Sequence, residues 1–413
     1  MLDIKFIRNN PEKVRDACKK RGVDLDIEKI VSLDAKKREL LQEIESMKAE
    51  QNKLGKEDIA KAQALKADIK TKEPLLKEVD EELQKLLLLL PNIPQEDVPT
   101  GNEEANVVLR QEGKLPKFSF EPKEHLALGE ALDVIDVERA AKVSGSRFAY
   151  IKGDLALLEF ALVRMAMDYA AKEKFVPVIP PVLVKEEMMK DMGYIDTKED
   201  LAERYFFEKE KMFLVGTAEQ SVGPMHQGEV FGEKELPKRY VAFSTSFREE
   251  AGSHGKDTKG ILRVHQFDKV ELFSFCHPEK SEEEHRFLVL LQEKMMQKLK
   301  LPYRVVELCT GDIGFGDARQ FDIETWIPSE NRYRETHSAS NTTDYQARGL
   351  NIKYKSSVIS RQSSVNYVHM LNATGFAIGR MLIAIIENYQ TAKGTVKIPT
   401  ALQKYTGVRE IKR

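Results

Sequence analysis

Between residues 30 and 90 apolar side chains recur at steps of three and four, and this spacing constrains the fold more than any other feature of the chain. The first run holds Ile30, Leu33, Leu40, Ile44, Met47 and Leu54, with Lys37 and Gln51 filling the remaining places in the pattern. The second holds Leu65, Ile69, Leu76, Val79, Leu83, Leu86 and Leu90, with Lys72 as its exception. Such steps keep one stripe of a helix apolar, so each run is expected to form a coiled-coil helix. The break between them, LGKED at residues 54–58, is short. The two helices, spanning about residues 30–90, should therefore fold back antiparallel as a hairpin of about 35 to 45 Å at 1.5 Å per residue. Pro74 falls inside the second helix, where the missing amide donor is expected to kink it or mark a discontinuity.

Charge is uneven along this hairpin. Residues 48–72, nearest the tip, hold seven lysines and four acids, whereas residues 73–82 hold five acids and one lysine. An antiparallel coiled coil often serves only as a spacer or dimerisation rod. A basic free end is instead the arrangement of an arm that reaches for phosphates. The whole chain carries 65 basic against 67 acidic side chains, so any nucleic-acid surface must be local.

A length of 413 residues exceeds what one core usually fills. The proline-rich stretch PNIPQEDVPTG at residues 91–101 stops the second helix, and we divide the chain into an N-terminal domain at 1–110 and a second domain at 111–413. Cys18, Cys276 and Cys309 lie far apart and form no CxxC pair, which argues against zinc or a disulfide scaffold and fits a reducing compartment. The opening MLDIKFIRNNPEKVRD is charged early, and the LLLLL at residues 86–90 is too short to span a bilayer. The expectation is a soluble, cytoplasmic protein with no membrane span.

From about Phe118 onward helices interleave with many short β-like runs without a regular βαβ alternation, which reads as an α+β domain with an antiparallel sheet flanked by helices. In RYVAFSTSFREE, Val241, Phe243, Thr245 and Phe247 form one row and Ala242, Ser244, Ser246, Arg248 and Glu250 the other. In ILRVHQFDKVELF, Val264, Val270 and Leu272 share one face, while Arg263, His265, Phe267, Lys269 and Glu271 share the opposite one. Successive strand residues point to opposite faces, so these charges stand side by side. The glycine- and lysine-rich AGSHGKDTKG between the runs reads as a long hairpin loop suited to a polyanion. On its own such a face is ordinarily a solvated one. No GxxxxGK[ST] occurs, and no GxGxxG lies between a strand and a helix, so a bound nucleotide would need neither a P-loop nor a Rossmann turn.

Two further stretches change that balance. KFVPVIPPVLV (174–184), FREE followed by RVHQF (247–267), and NATGFAIGRMLIAIIENYQ (372–390) resemble, in order, the three motifs of class II aminoacyl-tRNA synthetases. With GTAE (216–219), ELCTGDIGFG (307–316), RETHSASNTTDYQAR (334–348) and the N-terminal arm, the set resembles the bacterial type of seryl-tRNA synthetase over nearly the whole chain. The resemblance implies a homodimer that activates L-serine with ATP and magnesium, then charges tRNA(Ser), with tRNA(Sec) as a second substrate. It implies Arg248, Glu335 and Arg380 as catalytic residues. For ATP it implies Arg248, Glu249, Glu250, Val264, Phe267, Glu335, Thr336, His337, Ser338 and Arg380, with Phe267 and Arg380 sandwiching the base. Serine would meet Thr217, Ala218, Glu219, Arg248, Glu271 and Thr374; Glu335 and Ser338 would hold magnesium. Lys48, Lys53, Lys56, Lys61, Lys66 and Lys70 on the arm would grip tRNA.

Some positions depart from the family's pattern. Lys174 replaces a glycine of the first motif, His337 a small residue, and Ala373-Thr374 a common Gly-Ser. Two other readings remain at this stage: an adenylate-forming enzyme that loads a carrier protein, and a catalytically dead RNA-binding relative. Relatives of the first kind lack a long arm, and intact Arg248, Glu271, Glu335 and Arg380 count against the second.

Overall fold

Residues 1–55, 58–195, 201–251, 259–356 and 365–413 are described in the computed structural model of the chain. They form two compact units, Met1–Ile93 and Pro94–Arg413. The division falls earlier than the boundary expected at 110/111. Strand β1 (Val107–Glu112) pairs with Tyr303–Glu307 and so brings the preceding linker into the second unit.

In the first unit, Asp3 caps helix α1 (Ile4–Asn9) through the Lys5 amide, α2 (Pro11–Lys20) starts on a proline, and Asp26 caps α3 (Ile27–Gln51) through the Lys29 amide. These side-chain oxygens satisfy amides that a helix start leaves open. Helix α4 (Ile59–Leu88) runs through Pro74 without interruption. The α3 and α4 seam buries Ile30, Leu33, Leu40, Ile44, Ile69, Val79 and Leu83, as the spacing predicts. Its polar exceptions find partners across the hairpin: Lys37 Nζ lies 2.6 Å from Asp80 and Lys72 Nζ 2.6 Å from Glu43.

An eight-stranded sheet organises the second unit. Its strands are β1, β2 (Val176–Val178), β3 (Lys238–Phe247), β4 (Gln266–Cys276), β5 (Tyr303–Glu307), β6 (Arg319–Ile327), β7 (Arg332–Asn341) and β8 (His369–Ala377). Their order across the sheet is β1-β5-β6-β7-β8-β4-β3-β2, antiparallel except for the β2–β3 pair. One face is covered by α5 (Gly153–Lys172), α6 (Ser281–Leu299) and α7 (Ile378–Asn388), and Val241, Val270 and Leu272 pack there. Ala242 and Phe273 belong to a separate apolar cluster, so within the strands the two rows do face opposite ways; Val264 precedes β4 and does not follow its row, lining one cavity together with Arg263 and Phe267.

Two bulges interrupt that alternation. On β7, His337 pairs with Ile323 but Glu335 pairs with Glu324, which leaves Thr336 as the extra residue. On β8, Phe376 pairs with Val270 but Thr374 pairs with Glu271, with Gly375 between. An extra residue sends the side chains on either side of it to opposite faces. The buried Gln292 of α6 spans the two bent strands, its Nε2 donating to the carbonyls of Ser338 (2.8 Å) and Thr374 (2.9 Å).

Lys174, just past the end of α5, sits at φ +67°. That is the left-handed position where a helix usually ends on glycine, and a Cβ there costs about 1 kcal/mol. Lys174→Gly should therefore stabilise the protein by up to about 1 kcal/mol, read as a higher denaturation midpoint; an unchanged or lower midpoint would show that the turn carries no strain.

Candidate active site

Two cavities of about 330 and 420 Å³ adjoin the open face of β4, β7 and β8, and they share Arg248, Lys269 and Ser338 in their walls. The first is also lined by Glu250, Val264, Phe267, Glu335, Thr336, Thr374 and Arg380. Thr217, Glu219, Gln346 and Asn372 line the second. The sequence thus brings residues from five separate stretches to one cleft.

Strand geometry positions the first cavity. Arg248 follows the last residue of β3 on the row of Ala242, and its guanidinium lies 5.4 Å from the Phe267 ring centroid. Its Nε and Nη2 are each 3.4 Å from the Gly216 carbonyl oxygen. Glu250 leaves the strand direction with φ +50° and still reaches the cavity wall. Arg380, in the first turn of α7, donates through Nη1 to the Glu335 carboxylate (2.9 Å) and to the Glu335 carbonyl (3.0 Å). Desolvation pushes the Glu335 carboxyl up, but Arg380, helped by Arg248 and Lys269, outweighs it and holds the group below the ordinary carboxylate range. Asp322 stands opposite Ser338 on β6 and behaves in the reverse way. Burial first, and the neighbouring Glu335 second, hold its proton on well above the usual range. The Glu335 carboxylate and the Ser338 hydroxyl are hard oxygen donors of the kind magnesium takes. Among the described residues, no group of three or more His, Cys, Asp or Glu side chains converges on a metal position.

In the second cavity, Glu219 is buried and its Oε1 accepts from Gln346 Nε2 (2.9 Å) and Asn372 Nδ2 (3.0 Å). Burial, followed by repulsion from Glu271, pushes its carboxyl up to about 7. Thr217 Oγ1 donates to Glu271 Oε2 (2.9 Å), and Lys269 Nζ reaches the same oxygen at 2.5 Å. The site can therefore present cations to an anionic ligand on one side and carboxylates to an ammonium or hydroxyl on the other.

Several expected residues are placed elsewhere. His337 is buried on the helix-covered face, its Nδ1 2.9 Å from Thr336 Oγ1 and its ring edge-on to Phe376. The bulge at Thr336 accounts for this correction, and burial pushes the imidazole down to about 3, so it is neutral there. Ala218 packs into the apolar cluster with Met192 and Val222 and lines neither cavity. Glu249 lines neither cavity, although its amide donates to the Glu203 carbonyl. Glu271 is wholly buried behind Thr217 and Lys269. On the arm, Lys48 is paired with Glu73 (2.8 Å) and Lys61 with Glu50 (2.7 Å), while Lys53, Lys66 and Lys70 are exposed. Lys56 lies outside the described residues, as does most of the hairpin loop, residues 252–258. Lys269 and Asp322 are the additions: the first was visible as a member of the Phe267–Glu271 row, the second only through its partner strand.

The family model described as the seryl-tRNA synthetase N-terminal domain matches residues 1–94. That of the tRNA synthetase class II core domain (G, H, P, S and T) matches residues 205–389. A serine–tRNA ligase of Thermodesulfovibrio yellowstonii is 43% identical over 431 residues, with 100% of each chain covered. A seryl-tRNA synthetase from Pyrococcus horikoshii, solved as a complex with ATP, has a TM-score of 0.92 at 39% identity, covering 100% of this chain and 99% of that one. A cytoplasmic serine–tRNA ligase from Naegleria fowleri, solved with AMP, has a TM-score of 0.88 at 34% identity over the same shares.

The Glu219 environment gives a pH test. Its carboxyl is raised from 4.5 to about 7 in the folded protein, so between these values the folded state holds a proton that the unfolded state has lost. Stability contributed at this site is full below the lower value, falls as pH rises through the window, and levels off above it. Glu219→Gln removes the penalty. The variant's denaturation midpoint should rise relative to wild type from about pH 5 to about pH 8; a constant difference would mean that Glu219 ionises as it does in an open chain.

Proposed function

The chain belongs to the seryl-tRNA synthetase family, and from that premise we propose how its residues divide the work of a serine–tRNA ligase. In the first step a serine carboxylate oxygen attacks the α-phosphorus of ATP, and the bond to the bridging oxygen breaks to release pyrophosphate. In the second step a hydroxyl of the terminal tRNA ribose attacks the carbonyl of seryl-adenylate, and AMP leaves. The observation that carries this reading is the meeting of two cavities at Arg248, Lys269 and Ser338, one basic and one lined by a buried carboxylate.

ATP would lie in the first cavity, with its base between Phe267 and Arg380 and Glu250 at its edge. Arg248 would bridge the α-phosphate and the serine carboxylate, since a planar fork donates to both at once. Serine would enter the second cavity, its ammonium toward Glu219 and Thr217 and its hydroxyl toward Glu271 and Thr374. Glu335 and Ser338, with Asp322 beside them, would hold magnesium, which neutralises phosphate charge when bound. In-line attack then depends on these groups holding two anions together against their repulsion.

The arm matches the family along with the catalytic unit, which speaks against a carrier-loading enzyme. We assign tRNA contact to Lys53, Lys66 and Lys70. Lys66 and Lys70 stand one helical turn apart, whereas Lys48 and Lys61 already neutralise acids of the opposite helix. A homodimer through the first motif accounts for the exposed Phe160 and Ile179, apolar groups that water disfavours. No described helix is long and apolar enough to cross a membrane; a cytoplasmic location is part of the proposal.

The test is serine-dependent ATP–pyrophosphate exchange followed by charging of tRNA(Ser) and tRNA(Sec). Replacing residues 31–89 with a short flexible linker should leave exchange nearly intact and abolish charging. Reversing Lys53, Lys66 and Lys70 to glutamate should give a milder loss that deepens with salt, because each phosphate contact contributes counterion release. Wild-type charging by the arm-deleted protein would reduce the arm to a spacer.

Arg380→Ala should raise the KM for ATP by roughly five- to thirtyfold, the equivalent of about 1 to 2 kcal/mol of stacking. An unchanged ATP dependence would remove Arg380 from the nucleotide.

A further inference from the structure

Lys269 projects from the site face of β4 between Phe267 and Glu271 and lines both cavities. Its Nζ lies 2.5 Å from Glu271 Oε2 and donates to Thr217 Oγ1 at 3.1 Å, while that hydroxyl donates to the same Oε2 at 2.9 Å. Glu271 is 0% exposed, and its other oxygen, Oε1, has no hydrogen-bond partner. Although the reading above gives this carboxylate the serine hydroxyl, it lines neither cavity. Lys269 and Thr217 cap it.

A buried carboxylate keeps a cation beside it when nothing else offers one. A neutral hydroxyl is a weaker partner than an ammonium, so serine alone competes poorly for Glu271. The ammonium, however, has an alternative. Its four-carbon stem is flexible, and the first cavity is already built for an anion: Arg248, Arg263, Lys269 and Arg380 face only Glu250 and Glu335 among its charged walls.

We propose that Lys269 is a positioning residue that caps the serine-hydroxyl subsite until nucleotide binds, when its ammonium moves to the phosphates and uncovers Glu271. This rests on the assignment of Glu271 and Thr217 to serine. It makes serine binding conditional on the nucleotide, so that the amino-acid subsite opens only when the co-substrate is in place. By linkage, serine strengthens nucleotide binding by the same factor. Glu219 stands close enough to Glu271 to repel it, and Lys269 is the cation paired with Oε2 among the described residues.

Calorimetric titration of serine into the full-length protein, with and without saturating magnesium α,β-methylene-ATP, whose α–β bridge cannot be cleaved, tests the cap. Wild type should bind serine roughly tenfold or more tightly with the analogue, within the usual range of coupling between sites. Lys269→Met should bring that ratio close to one, mainly by tightening serine binding without nucleotide, and Lys269→Arg should keep part of it. Lys269→Gln is the second variant if Lys269→Met does not fold. A wild-type ratio of one, or a wild-type ratio preserved in Lys269→Met or Lys269→Gln, overturns the proposal. Glu271→Gln separates the two levels. Undiminished serine binding in that variant overturns the subsite assignment and the cap with it, whereas lost binding alongside a wild-type ratio of one overturns the cap alone.

Discussion

Thr336 on β7 and Gly375 on β8 are each one residue too many for their partner strands, and the cleft depends on both. A regular strand would point Glu335 and His337 the same way, and likewise Thr374 and Phe376. With the bulges, Glu335 and Thr374 face the cavity while His337 and Phe376 join the core. The two distortions support one another through Gln292, which is fully buried and donates to a carbonyl on each strand. Space also matters at Gly375, where a Cβ would stand 3.0 Å from Val270 Cγ1 and 3.2 Å from the Val270 carbonyl. A larger residue would therefore press the bulged strand against its neighbour.

Features set by local periodicity were legible in the sequence. The arm's seam needs only the 3-4 spacing of one segment, and Ile30, Leu33, Leu40, Ile44, Ile69, Val79 and Leu83 are buried where that spacing puts them, although Leu87 is buried in place of Leu86. The opposed rows of β3 and β4 follow from alternation within each strand, so Val241 and Ala242 separate as read. What failed needed knowledge of a partner. His337 went to the wrong face because a bulge is a property of two strands together. The domain boundary moved because β1 is held by β5, far away in the chain. Neither the raised carboxyl of Glu219 nor that of Asp322 could be read from sequence, since each depends on a neighbour from another segment.

The carboxyl groups in and around the cleft are not alike. Glu335 is kept ionised by Arg380, Asp322 is kept protonated by burial and by Glu335, and Glu219 sits close to neutrality. Unequal environments let one cleft hold proton donors and anions side by side at a single pH. The same residue types on an open surface would titrate together and could not divide these tasks.

The lysines at the arm's seam set more than its stability. Lys37 and Lys72 occupy places that apolar residues hold elsewhere, and each is matched to one acid on the opposite helix. An all-leucine seam would let α3 slide along α4 by seven residues and still bury an apolar stripe. Such a slide moves the helices by about 10 Å at 1.5 Å per residue and separates both part-exposed ammonium groups from their carboxylates. The two ion pairs thus act as a vernier: they select one register of the two helices and so fix the length at which the arm ends.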